Sequence, residues 1–351
     1  MLYLSDAEVT KLVDDDMPKV VELMRSMFLA MAKGDYALGG KNGASHGMRI
    51  SYGEHENNRM FIAMPGYLGG DFKTTGLKWH GPNTPLPGGN TDSNYTVVLN
   101  DSDTGEPFAI MRADNLTRYR TAAVNSLAVE CLCKGSPEVL SIIGPGRINN
   151  IFTKYIVNKY KSIHIIKVKG RGLESKNRFI QSISKAFPHI KIESCENVKD
   201  AILDADIVAV NEGLIFDNFA EMPRVKSSWV KPGCVFICSA YISFPDSIVI
   251  SNSIKVCDMY KAYEAYEEEL GYPAFRTYGA LGNRFTDLVI EKKLSPEDMV
   301  DLADLLKNNK NIEKSDKPIL FSNCGIVLED IALASYVYKK AKAHNIGVEV
   351  V

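Results

Sequence analysis

The chain has 351 residues, of which 45% are hydrophobic and 24% charged, and a formal net charge of -2. That length predicts about two domains rather than one core. The near-neutral charge gives no electrostatic footprint for nucleic acid or an anionic membrane, and no apolar run approaches the roughly 20 residues that cross a bilayer.

Met1 to Asp6 lack the basic and apolar regions of a secretory leader. Ser5-Asp6-Ala7-Glu8 is a capping-box pattern that predicts a short first helix, and the apolar stripe from Pro18 to Ala32 predicts a second. From Arg49 to Ile110 the texture turns to short strands, among them Met60–Met64, Gly76–Trp79 and Tyr95–Leu99. Gly81 to Asp92, rich in Gly, Pro and Asn, reads as a loop of a length that is often functional.

Past Arg120 strands and helices alternate. A helix is expected over Thr121–Cys133, a buried strand over Val139–Ile143 and a helix over Asn149–Tyr160. A strand at Ile163–Val168, a helix at Leu173–Ala186 and strands at Ile190–Glu193, Ile207–Val210 and Val235–Cys238 continue the series. This is the α/β class with a parallel sheet. After Asp258 the pattern is mostly helical to Asn308, then a strand at Ile319–Phe321 and an amphipathic helix over Leu328–Ala343. Seven scattered cysteines, several in apolar stretches and none in a C-x-x-C pair, read as buried reduced thiols of a cytoplasmic protein.

Gly144-Pro145-Gly146-Arg147-Ile148-Asn149 stands at the first strand-to-helix turn of this alternation. Glycines there permit close approach of backbone to a pyrophosphate that the helix N-terminus attracts. The third glycine of G-x-G-x-x-G is Asn149, so the fingerprint is incomplete. The next strand ends in Lys167-Val168-Lys169-Gly170-Arg171, where NAD-binding chains usually place an acid. Lys169 and Arg171 therefore favour the 2′-phosphate of NADP over NAD, the alternative being a solvated basic turn.

Several segments together resemble the ornithine cyclodeaminase/mu-crystallin family along nearly the whole chain. They are Ile62-Ala63-Met64-Pro65, Gly76-Leu77-Lys78-Trp79, Leu99-Asn100-Asp101, Arg120-Thr121-Ala122-Ala123, the glycine turn, and Glu329-Asp330-Ile331-Ala332. Some details look more like its branch of 2,3-diaminopropionate-synthesis dehydrogenases and tyramine oxidase subunits than like ornithine cyclodeaminase. The resemblance implies a Rossmann domain, residues 120–323, inserted into an N-terminal α/β substrate and dimerisation domain, residues 1–119, which the C-terminal segment 324–351 completes. It implies a homodimer, a nicotinamide cofactor and a small amino or imino acid substrate.

By position in those motifs, Lys78 matches the family's active-site lysine and Arg120 its carboxylate-binding arginine, with Arg49 the candidate second arginine. A guanidinium fork suits a carboxylate, and a lysine desolvated between arginines is expected to have a lowered pKa suited to proton relay. Thr121, read as opening a helix, and Asn211, after the fourth strand, join Gly144, Gly146, Arg147 and Ile148 as expected cofactor contacts. His46, His55 and His80 lack metal-ligand spacing, so no metal is expected, and Glu329-Asp330 is read as a pair of helix-dipole carboxylates.

Two departures bear on the reaction. The glutamate that ornithine cyclodeaminases carry before Met-Pro is Ile62, and Phe244 stands at their aspartate position. Asp246 replaces that aspartate as a catalytic group if the loop is shifted; otherwise it caps a helix or turn. Proper cyclodeamination is therefore disfavoured. The expected function is an NAD(P)-dependent amino acid dehydrogenase or ketimine reductase. A cyclodeaminase that re-reduces its substrate with bound NAD, and a non-catalytic NADP(H) binder or partner subunit, stand as alternatives.

Overall fold

The computed structural model describes residues 1–52, 59–81, 94–212, 219, 222–308 and 315–350. The expected loop at 82–92 and His55 lie outside the described residues. The chain forms two compact units, Met1–Ala123 with Ile326–Val351, and Val124–Gly325.

The first unit opens with β1 (Leu2–Leu4), α1 (Asp6–Val13), α2 (Met17–Ala32), β2 (Tyr36–Leu38), β3 (Met48–Tyr52), β4 (Arg59–Leu68), β5 (Thr74–His80), β6 (Tyr95–Asp101) and β7 (Pro107–Arg112). Its capping box is present: the Ser5 hydroxyl accepts from the Glu8 N–H, and the Glu8 carboxylate accepts from the Ser5 N–H at 2.8 Å. Then comes α3 (Asp114–Leu132), which begins seven residues before the expected start and carries Arg120 and Thr121 within it. Burial of Leu116, Tyr119, Ala122 and Ala123 gives that extra length a core-facing stripe.

The second unit continues with β8 (Val139–Ile143), α4 (Arg147–Lys159), β9 (Ile165–Lys169), α5 (Leu173–Ala186), β10 (Lys191–Ser194), α6 (Val198–Ile202) and β11 (Ile207–Val210). After these come β12 (Val235–Cys238), α7 (Asp246–Ser251), β13 (Ile254–Cys257), α8 (Tyr260–Leu270), α9 (Ala274–Thr277), α10 (Leu281–Ile290), β14 (Met299–Asp301), α11 (Leu302–Lys307) and β15 (Ile319–Ser322). The chain then returns to the first unit as α12 (Val327–His344) and β16 (Val348–Glu349).

In the second unit the strand order is β10-β9-β8-β11-β12-β15-β13-β14, and every neighbouring pair is parallel. From β8 the chain steps outward to β9 and β10, then returns to β11 on the other side of β8. That reversal is the switch point outside which open α/β sheets bind ligands, at the carboxyl ends of the strands. The protein is thus of the α/β class with a Rossmann-like parallel sheet.

The first unit holds a mixed sheet in the order β16-β1-β7-β6-β5-β4-β2, with β3 also on β4. α12 packs on one face of β4, β5 and β6. Gly66 on β4 and Gly76 on β5 stand opposite each other in register and make its seat. A Cβ on Gly66 would lie 2.7 Å from Val327, and one on Gly76 would lie 2.8 Å from Ile331. Only glycine lets the helix come this near. The first half of α12, Val327 to Ser335, is buried all round, so the expected amphipathic helix is amphipathic only in its second half. Among the described residues no helix is long and apolar enough to cross a membrane.

Candidate active site

Strand alternation decides which side chains of the first unit meet α12. Thr74, Gly76 and Lys78 point to the buried face of β5, while Trp79 points away and is exposed. Lys78 stands opposite Met64 on β4 and Val97 on β6, and is 2% exposed. A lysine there needs counter-charge, because removing an ion from water costs several kcal/mol.

The counter-charge comes from the first turn of α12. Lys78 Nζ donates to Asp330 Oδ1 at 2.9 Å, and the Thr117 hydroxyl donates to the same oxygen at 3.3 Å. Arg120 pairs through Nη1 with Glu329, and its Nε lies 3.4 Å from Asp330 Oδ1. Glu329 and Asp330 are both 0% exposed. The pair does stand in the first turn of α12, as expected, but the dipole reading is incomplete: both are also the buried anions of a four-charge cluster. A cue to this stands in the chain itself, where two adjacent acids followed by Ile331-Ala332-Leu333-Ala334 sit in an apolar helix.

Arg49, on β3, stands beside Ile62 in a register that continues to His80. Its Nε is buried with no hydrogen-bond partner, and among the described residues it makes no ion pair. Burial first, then the charges of Lys78, Arg120 and Arg49, bring the His46 imidazole down to about 3. His46 is therefore neutral, and it marks the point where all three cations converge. Tyr95 lines the same place, its ring 4.6 Å from Lys78 Nζ and tilted against His80 at 4.5 Å between centroids.

Burial dominates Lys78. It overrides the pull of Asp330, is reinforced by Arg120, and lowers the ammonium to about 8. Burial also opposes the charged form of Asp330, yet Arg120 and Lys78 together hold that carboxyl below its usual range. The result is a fixed anion beside a lysine that gains or loses a proton near neutral pH, the property a proton relay requires.

Thr121 does not open a helix. It sits inside α3, and its hydroxyl donates back to the Thr117 carbonyl at 2.7 Å, so the expected helix-terminus contact to a cofactor has no basis in the fold. Asp246 is already partnered. It is the first residue of α7, and both its oxygens accept from Arg284 Nη2, at 2.8 and 2.9 Å. Phe244 is buried and packs edge-on against Phe236 at 5.0 Å. The carboxylate of Asp246 is thus a half-exposed ion-pair partner at the start of a helix.

The remaining candidates gather in the second unit, at the carboxyl ends of β8, β9 and β11. Gly144 has φ +86°, and a Cβ there would lie 2.5 Å from the Asn211 carbonyl. Its N–H donates to the Lys169 carbonyl at 2.9 Å, and the Asn211 N–H donates to Ile143 at the same distance. Gly146 leads into α4, open space lies beside its α-carbon, and Arg147 and Ile148 form the first turn of that 13-residue helix. Asn149 replaces the third glycine: fully buried, it donates through Nδ2 to the Gly144 carbonyl at 2.8 Å and ties down the turn. This cradle fits a dinucleotide's pyrophosphate. The cations expected to await a 2′-phosphate are already paired, Lys169 with Glu212 at 2.7 Å and Arg171 with the same carboxylate at 3.4 Å. Among the described residues no group of three or more His, Cys, Asp or Glu is placed to hold a metal ion.

The chain is similar to known proteins along most of its length. N-((2S)-2-amino-2-carboxyethyl)-L-glutamate dehydrogenase of Staphylococcus aureus is 27% identical over 290 residues, 82% of this chain and 80% of its own. Ketimine reductase mu-crystallin of Macropus fuliginosus is 26% identical over 246 residues, 69% of this chain and 68% of its own. The fold is that of the Delta(1)-pyrroline-2-carboxylate reductase of Thermococcus litoralis, solved in complex with NADH and L-proline, with a TM-score of 0.79, 23% identity and full coverage of both chains. The model of one family matches from residue 8 to residue 345, and the chain belongs to it: the ornithine cyclodeaminase/mu-crystallin family.

Proposed function

We propose that the protein is a cytoplasmic NAD(P)-dependent oxidoreductase that acts on the carbon–nitrogen bond of a small amino or imino acid. The observation that carries the reading is the buried cation cluster of the first unit. Lys78 and Arg120 are balanced by Asp330 and Glu329, whereas Arg49 brings a further positive charge with a buried, unpartnered Nε. A substrate carboxylate supplies the missing anion, and the planar guanidinium holds it in a fixed orientation. When bound, the nicotinamide carries the hydride that the α-carbon gains or loses.

Lys78 handles the proton. In the reductive direction its ammonium hydrogen-bonds the imine nitrogen and delivers a proton there as the C=N bond becomes C–N; in the oxidative direction the free amine takes it back. Asp330 holds the lysine in place, and Tyr95 walls it from water. Gly144, Gly146 and the first turn of α4 would hold the dinucleotide, with Asn211 packed behind. Ile62, buried beside Arg49, and the core residue Phe244 leave no carboxylate at either position for a second ammonium, which supports a reductase or dehydrogenase over a cyclodeaminase.

A homodimer fits the other face of the same sheet. Met48, Ile50 and Tyr52 on β3 and Trp79 on β5 are exposed, and Phe61 stacks on Tyr52 and lies tilted against Trp79. An apolar face of this kind marks an interface. Loss of nicotinamide absorbance with imino acids such as pyrroline-2-carboxylate, or with pyruvate plus an amine, tests the function. Binding without turnover on any of them favours the non-catalytic binder, and failure to bind either dinucleotide refutes the reading altogether.

A further inference from the structure

We infer that Glu212 sets the choice between the two nicotinamide dinucleotides: it supplies, from the fourth Rossmann strand, the acid that the second strand lacks, and the chain takes NADH over NADPH. This rests on the dinucleotide reading of the glycine turn. Nucleotide-binding sheets present an acid at the end of the strand after that turn, where it accepts from a ribose 2′-hydroxyl, and cations there when a 2′-phosphate must be held. Here the strand is β9, and it ends in the cations Lys169 and Arg171.

The fold brings a carboxylate to the same point from elsewhere. β8 lies between β9 and β11, and Gly144 at its tip is flanked by the Lys169 carbonyl on one side and the Asn211 carbonyl on the other. Glu212 follows Asn211 directly, and its side chain spans to the end of β9. Oε2 accepts from Lys169 Nζ at 2.7 Å, and Oε1 accepts from the Arg171 backbone N–H at 3.1 Å. The Arg171 Nε is 3.4 Å from Oε1. Glu212 is 4% exposed, so this is a built-in carboxylate and not a surface side chain passing by.

Two consequences follow for a ligand at this spot. The cations that would grip a 2′-phosphate are engaged, and a phosphate dianion beside them meets a buried negative charge in a medium of low dielectric. A ribose diol meets an acceptor held in place by two partners. Glu212 is thus a specificity-determining residue that position 169 would not reveal.

The test is a fluorescence titration of the purified full chain with NADH and with NADPH, read as dissociation constants and independent of turnover. Wild type should bind NADH more tightly. Glu212→Gln, which keeps the shape and removes the charge, should shift the ratio of the two constants toward NADPH by on the order of tenfold or more, the scale of one charged hydrogen bond. Arg171→Ala added to Glu212→Gln should reverse that gain. Tighter NADPH binding by wild type, or an unchanged ratio in a folded Glu212→Gln variant, overturns the inference. The wild-type ratio decides even if the variant does not fold. Binding of neither dinucleotide would instead remove the proposed function beneath it.

Discussion

Each unit of the protein carries a four-charge network, and the two differ in their surroundings. In the first, Lys78, Arg120, Glu329 and Asp330 are sealed under α12. In the second, Arg284 holds Asp246 and Glu291, and Lys293 pairs with Glu291 at 2.7 Å, with the side chains of Asp246 and Lys293 42% and 47% exposed. The residue types and distances are alike. Water reaches the second set and screens it, so each of its pairs adds little to stability. It cannot reach the first, so each charge there depends on the others, and Lys78 is pulled to a pKa of about 8. Burial, more than pairing, separates the two networks.

Removal of Asp330 is the strongest way to break that contrast. Asp330→Ala leaves Lys78 and Arg120 with one buried anion and should cost about 3–5 kcal/mol, read as a drop in the denaturation midpoint, together with loss of turnover. A midpoint equal to wild type would mean the cluster is wetter than its burial indicates. Lys78→Ala should lower turnover by roughly a hundred- to ten-thousand-fold while dinucleotide binding persists. Wild-type imine reduction should decline as pH rises through about 8, where Lys78 loses its proton, whereas amine oxidation should gain over the same interval. A pH–rate profile of the variant that keeps this limb would assign it to another group.

The seat of α12 offers a gentler lever. Gly76→Ala puts a methyl 2.8 Å from Ile331 and should cost about 1–3 kcal/mol by lifting the helix that carries both acids, with activity reduced alongside. The smallest effect is expected at the surface: Asp246→Ala should change stability by at most about 1 kcal/mol and leave kcat alone. A large fall in kcat there would restore it as a catalytic group.

The sequence disclosed the parallel sheet and its glycine turn well, because β8, β11 and β12 are short, mostly apolar runs and β9 alternates apolar with lysine, each bounded by turn residues. The chemistry of the first unit was less legible. In Leu77-Lys78-Trp79 the alternation suggests that the apolar residues face inward, yet Lys78 is buried and Trp79 exposed. The sheet's outer face is itself apolar, so patterning could not choose between the two. The partners of Lys78 lie some 250 residues on, and no local pattern joins residues at the separation of 252 between Lys78 and Asp330. Glu212 was hidden for the same reason, being remote in the chain from the basic turn it pairs with.

That separation also orders the assembly of the site in time. A ribosome builds β5 and the arginine of α3 well before α12. Until residues 329 and 330 emerge, the nascent chain has a lysine and an arginine with nothing to neutralise them, and so has reason to keep that part of its sheet hydrated and unsealed. A chain that stops short of this helix keeps every strand of the parallel sheet but loses both anions that Lys78 and Arg120 depend on.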